Sequence, residues 1–447
     1  MSRLYGPPQV KAKPYSNVLE ILESQANKKL ISEYSTELET YIARLELVLK
    51  PNPLMIDLQP EIQWFMRPYL LDFLIELHTL FRLQPSTFFL CINIIDRYCA
   101  KRVVFKRHYQ LVGCTALWIA GKYEDKKLRV PTLRELAVMC RLAFDEEMFV
   151  QMEMHILATI EWLLGHPTLE DRMQFAINEA GVFANVTPTK YSRPVASTAA
   201  QKMSAVAAVG RFFCELSLYD RFFMTIPTSL IAFTATIMAV NMLDIPATQS
   251  FVQDLLASIL NHELQHSLPA GEDGENQPPL RGSPRLGGLN DLDEQTLLSA
   301  KKVAIALLLR TSTLSEVLNR KYARLGVIPV VLNFTNTHPR ISETIYQRGG
   351  CVVDEDLEQL PSDLNFAADV LLNLAPRKDS AFSENSVLPP TPPLATSQVL
   401  IFSNMGSSAC ASPALRSDTN SIPAYSPVNN ECSLNWQLPV PMSKIVQ

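Results

Sequence analysis

Arg67-Pro68-Tyr69-Leu70-Leu71-Asp72-Phe73-Leu74-Ile75-Glu76-Leu77-His78-Thr79-Leu80-Phe81 carries Leu70, Phe73, Leu74, Leu77 and Phe81 at three- and four-residue intervals. That spacing lines one face of an α-helix. Pro85 closes the connection after it, and further helices are predicted at about Ser86 to Tyr98 and about His108 to Tyr123. A fourth opens at Thr132 with Glu135 three positions on, so each side chain can satisfy a free amide of the first turn. A fifth opens at Asp145, whose carboxylate suits the free amides and the positive end of the helix dipole. Phe144 can staple onto Phe149, and Phe149, Met152, Ile156, Leu157 and Ile160 form the inner face. Glu61 to Leu164 therefore reads as a bundle of about five helices.

Working outward, Glu33 to Lys50 repeats the helical spacing with Tyr34, Leu38, Tyr41, Ile42, Leu45, Val48 and Leu49, and Pro51-Asn52-Pro53 stops it. After Pro167 the pattern restarts. Thr168 with Asp171 marks a helix start and Gly181 its end. Helical runs follow at about Ser197 to Tyr219, Thr228 to Leu243, Ala247 to Gln265, Asp293 to Arg310 and Thr313 to Leu325. The expected organisation is all-α: an arm over 1–32, a helix and first bundle over 33–165, and a second bundle over 166–330. Surface insertions are expected at 184–194 and 267–290, and a mostly disordered regulatory tail over 331–447, since periodicity fades beyond Arg340 and Ser, Pro and Asn accumulate from about Ser380.

The 447 residues, 47% hydrophobic, suffice for two cores, and a formal net charge of -5 calls for neither nucleic acid nor a membrane surface. No apolar run approaches the ~20 residues that cross a bilayer, so an intracellular chain is expected. The eight cysteines form no C-x-x-C pair and read as reduced core thiols. His262 and His266 lie four apart without a supporting Glu or Cys, so no metal is expected. No phosphate-cradling glycine loop, G-x-S-x-G elbow or kinase signature is present, which leaves an enzyme reading without support.

Four charges occupy unexpected places. Arg67 lies three before Leu70, Asp96 four after Ile92, Lys122 three after Ile119, and Glu153 four after Phe149. Each falls on or beside an apolar arc, where an unpaired charge costs several kcal/mol. They could neutralise one another in an internal cluster, or some could await a partner protein. Spacing leaves both open.

At these residues the sequence resembles a cyclin box. Met66 to Glu76, Asp96-Arg97-Tyr98, Tyr109 to Gly113, Ala120 to Asp125, Met152-Glu153 with Ile156-Leu157, and Gly165-His166-Pro167-Thr168 follow the family's order and spacing. Fainter echoes follow at Glu215 to Leu218, Ile226 to Ala232 and Arg320-Lys321-Tyr322. The resemblance implies tandem five-helix cyclin boxes and a regulatory subunit of a cyclin-dependent protein kinase, with no cofactor. It also implies roles: Arg67 and Asp96 pair within the box, Lys122, Glu153 and Leu70 serve kinase binding, and Met66, Tyr69, Phe73 and Gln110 are candidates for holding kinase substrates. Tyr69 stands where the family usually has an aliphatic residue and Phe73 where it has tryptophan, and both could equally be core residues.

Phe65 to Phe73 and Cys114-Thr115-Ala116-Leu117-Trp118 are similar to the fungal G1 cyclins of the Cln type, which implies action at the G1/S transition in nucleus and cytoplasm. A mitotic B-type or phosphate-pathway cyclin is the alternative; a cyclin-fold transcription factor would show a basic face or zinc ribbon. Arg44, Leu47 and Asn52 match destruction-box spacing but straddle a predicted helix. In the tail, Leu388-Pro389-Pro390-Thr391-Pro392-Pro393 resembles a phosphodegron read by an F-box ubiquitin ligase. Thr187, Ser283, Ser412 and Ser426 also precede proline and are further phosphorylation candidates.

Overall fold

A computed structural model describes residues 17–179, 195–245, 290–349 and 360–374. The helices there are α1 (Asn17–Glu33), α2 (Ser35–Val48), α3 (Pro53–Asp57), α4 (Arg67–Phe81), α5 (Pro85–Lys101), α6 (Tyr109–Glu124), α7 (Leu133–Met139) and α8 (Glu146–Thr159). They continue as α9 (Leu169–Glu179), α10 (Val195–Ser217), α11 (Thr228–Met242), α12 (Asn290–Arg310), α13 (Glu316–Arg324), α14 (Val327–Thr337), α15 (Pro339–Arg348) and α16 (Ser362–Leu371). Among the described residues there is no strand.

Local chemistry sets where the helices of the first bundle begin. Thr132 Oγ1 accepts from the Glu135 amide at 3.3 Å while the Thr132 amide donates to Glu135 Oε2 at 2.8 Å, completing the capping box of α7. Asp145 accepts from the Met148 amide at 2.8 Å, and the Phe144 and Phe149 rings meet edge to face at 6.3 Å. Thr168 and Asp171 exchange the same reciprocal bonds at 3.0 and 3.2 Å, so the second bundle opens with a second capping box.

At the centre of the first bundle, α6 buries Leu111, Val112, Cys114, Ala116, Leu117, Ile119 and Ala120. Helices α4, α5 and α8 surround it. An all-round apolar helix can emerge only at its end, which brings Lys122 and Tyr123 to the surface in the last turn. Gly113 permits the closest approach: a Cβ there would stand 2.8 Å from Leu70 Cδ1. Helix α11 plays the central part in the second bundle, buried from Ser229 to Val240, with α9, α10 and α12 packed on it.

Helix α2 is tied to the second bundle through one buried carboxylate. Glu46 Oε1 lies 3.1 Å from Arg172 Nε on α9, and Ser229 Oγ on α11 donates to Glu46 Oε2 at 3.0 Å. The Arg172 guanidinium lies 5.3 and 5.2 Å from the Phe175 and Phe233 ring centroids. Burial pushes the Glu46 carboxyl above its usual range, against the opposing field of Arg172 and the bonds from Ser229.

Two expected boundaries are corrected. Residues 17–32, read as an arm, belong to α1, which leaves Val18, Leu19, Ile21, Leu22 and Leu30 exposed. The end of the second bundle at 330 cuts through α14, and ordered structure continues through α15 and α16. Val331, Phe334, Ile341, Leu364, Ala368 and Leu371 are buried. Asn241 donates to the Val370 and Leu371 carbonyls at 2.6 and 3.1 Å, and Lys301 reaches Asp369 at 2.7 Å. Each of these helices is only about three turns long, and its stability comes from tertiary contact. The expected Ala247 to Gln265 helix, both insertions, Gly181 and the tail from 375 onward lie outside the described residues.

Candidate functional site

Arg67 and Asp96 meet as the resemblance implies. Proline at the second position of α4 and the preceding turn at Trp64–Met66 fix where Arg67 starts, and Asp96 faces it from α5. The guanidinium makes a two-pronged pair with the carboxylate at 2.5 and 2.9 Å, both side chains buried, and its Nε donates to the Leu218 carbonyl at 2.6 Å. Burial pushes Asp96 up despite the attraction of Arg67, while Arg67, which burial alone would push down, is held protonated by Asp96. The pair is structural and reaches into the second bundle through Leu218.

Lys122 and Glu153 also find each other. Lys122 Nζ donates to Glu153 Oε1 across α6 and α8, and the same nitrogen lies 3.5 Å from the centroid of the Trp118 ring. The Lys122 side chain is 39% exposed and that of Glu153 13%. Both charges are therefore satisfied within the chain, yet the lysine stands at the surface. Around them on the same two helices, Tyr123, Val150 and Met154 are exposed.

Leu70 is placed differently from the expectation. It is 3% exposed and packs beneath Gly113, so it cannot offer a surface to a kinase. Its face of α4 points to the core because Leu70, Leu74 and Leu77 share it. Of the substrate-docking candidates, Met66 and Phe73 are core residues, Gln110 is half-buried and Tyr69 is exposed. A cleft of about 500 Å³, lined by Gln59, Ile62, Trp64, Phe65 and Tyr109 among others, opens beside the start of α4. The sequence reading overlooked this cleft. Its signal was the exposed aromatic Phe65 directly before the box.

Arg44 and Leu47 lie on α2, and Asn52 Oδ1 caps α3 by accepting from the Leu54 amide at 3.0 Å. The destruction-box spacing thus falls on two exposed residues of α2 and on the cap of α3. Thr187, Ser283, Thr391, Ser412, Ser426, His262 and His266 lie outside the described residues. Among the described residues, no cluster of three His, Cys, Asp or Glu side chains is placed to hold a metal, and no helix is long and apolar enough to cross a membrane. Cys91, Cys99, Cys114, Cys140 and Cys214 are buried free thiols.

Comparison with known proteins matches residues 37–165 to the cyclin N-terminal domain and residues 186–268 to the cyclin C-terminal domain. The G1/S-specific cyclin CCN1 of Candida albicans (strain WO-1) is 41% identical over 90% of this chain and 75% of its own length. The G1/S-specific cyclin CLN3 of Candida albicans is 36% identical over 51% of this chain and 48% of its own. The G2/mitotic-specific cyclin cdc13 of Schizosaccharomyces pombe is 41% identical, over 32% of this chain and 30% of its own.

Proposed function

The chain belongs to the cyclin family, and from that premise we propose that it binds and activates a cyclin-dependent protein kinase to promote the G1/S transition. Similarity to a G1/S-specific relative runs through 90% of the chain, whereas similarity to the mitotic relative is confined to about the length of one box. That difference in reach favours the G1 reading over a mitotic one.

The observation that carries the kinase contact is the surface ion pair Lys122–Glu153, on two helices that also expose Tyr123, Val150 and Met154. Members of this family are regulatory subunits, so the chain transfers no phosphate itself. It acts by preferring one arrangement of the kinase, and its differential affinity for that arrangement sets how far the population shifts. A kinase whose catalytic lysine and glutamate are mispaired is switched on by a partner that stabilises the paired state. Kinase substrates would dock near the start of α4, which carries the exposed Tyr69 and follows the cleft lined by Trp64 and Phe65. Thr391 in the tail would carry a phosphate recognised by an F-box ligase, and the chain would work in nucleus and cytoplasm.

The test removes both charges. Lys122→Ala with Glu153→Ala should keep the helical circular dichroism and weaken kinase binding about thirtyfold, the loss of one interface hot spot of about 2 kcal/mol. A folded double variant that activates the kinase as well as the unaltered chain refutes the assignment. Abundance that peaks outside G1 would refute the timing.

A further inference from the structure

Trp118 and Lys122 lie four apart on α6, the spacing that stacks one side chain over another on the same helix face. The indole is half-buried and packed against the core, so its position is set by the fold. The lysine is a flexible four-carbon stem ending in a strongly hydrated charge, and such a side chain ordinarily samples many rotamers at a surface. Here the ammonium lies 3.5 Å from the ring centroid, well inside the ~6 Å range over which an aromatic face attracts a cation. Glu153 holds the same nitrogen from α8. Glu153 is itself largely buried, so the acidic side of the pair moves little.

We propose that Trp118 is a positioning residue that fixes the Lys122 ammonium against Glu153 before the kinase arrives. The inference rests on the kinase-contact reading of Lys122 and deepens it. An ammonium has three N–H donors. It can serve Glu153, face the indole and still offer a donor to an acceptor group on the partner. Because the lysine is already ordered, binding does not have to freeze it. Ordering one rotamer-rich side chain at an interface weakens binding about two- to twelvefold, which is the loss expected when the indole face is removed.

The experiment measures kinase affinity by calorimetry on the full chain with Trp118→Leu and Trp118→Phe, each made alone and with Lys122→Met. The lysine ε-methylene resonances are followed by NMR in the same proteins. Trp118→Leu should weaken binding about two- to twelvefold and abolish the upfield ring-current shift of Lys122. Trp118→Phe, which keeps an aromatic face, should restore most of both. In the Lys122→Met background, Trp118→Leu should change affinity no further. Unchanged or tighter binding by Trp118→Leu overturns the proposal, as does an equal loss with and without Lys122, which would mark a purely structural indole. If Lys122→Met alone binds the kinase normally, the contact reading itself fails. The resonance shift then reports separately whether the lysine is held by the ring.

Discussion

Removing one member of the Glu46–Arg172 pair should be far more damaging than removing both. The pair lies at 3.1 Å with side chains 3% and 6% exposed, among α2, α9 and α11. Burial raises the Glu46 carboxyl, so deprotonating it costs the folded state as pH rises through its folded range. At neutral pH the ionised pair is consequently no net gain over a well-packed apolar pair. Its members are nonetheless dependent on each other. Glu46→Leu leaves the Arg172 guanidinium buried between Phe175 and Phe233 without its carboxylate. Breaking a buried pair in this way costs about 3–5 kcal/mol, whereas replacing both partners by apolar residues of similar volume is about neutral. With a urea m-value of about 3 kcal/mol/M, Glu46→Leu should lower the unfolding midpoint by about 1 to 1.7 M. Glu46→Leu combined with Arg172→Met should recover nearly all of it. Urea titration followed by circular dichroism, at constant m, reads both values. A single variant costing less than about 1 kcal/mol, or a double variant no better than the single, would refute the account of a stranded charge.

Gly113→Ala should destabilise the chain by about 1–3 kcal/mol although alanine is the better helix former by about 1 kcal/mol, because its Cβ would meet Leu70 at 2.8 Å in a filled core. Thermal unfolding checks the sign, and trimming Leu70 to valine should relieve the cost. His166 is held neutral, its imidazole pushed down to about 3 by burial and by Arg97. The stability this represents is present above the unfolded value of 6.5 and is lost as pH falls toward 3, at about 1.4 kcal/mol per pH unit. His166→Phe should flatten that slope by one proton between pH 6 and 4; an identical slope in both proteins would rule out the buried neutral state. Thr391→Ala should lengthen the chain's half-life after synthesis is blocked, and unaltered decay would remove the degron.

Local chemistry was legible and assembly was not. Thr132, Asp145 and Thr168 announce their helices because a cap needs only residues within one turn, and all three make the bonds their spacing predicts. The odd positions of Arg67, Asp96, Lys122 and Glu153 were legible too, since helical spacing identifies a face. Spacing does not say which faces meet, so the closure of Lys122 on Glu153 and the reach of Arg67 to Leu218 needed coordinates. Leu70 was given to kinase binding by the resemblance alone, while its spacing with Phe73, Leu74 and Leu77 already put it on the apolar face, where it packs against Gly113. Helices α14 to α16 escaped notice because their stability comes from tertiary contact, α14 on α13, α15 between α14 and α16, and α16 on α12 and α11.

The bond from Arg67 Nε to the Leu218 carbonyl couples the two boxes. One guanidinium grips Asp96 with its two outer nitrogens and leaves the third to a residue 151 positions later. Until α4 and α5 have come together, that third donor is not aimed anywhere. Losing Asp96 would therefore loosen one strand of the joint between the halves, which Tyr219 donating to Asp72 at 2.6 Å and Arg221 pairing with Asp57 at 2.8 Å also hold. A fault in the first box is thus felt in the second through this one donor.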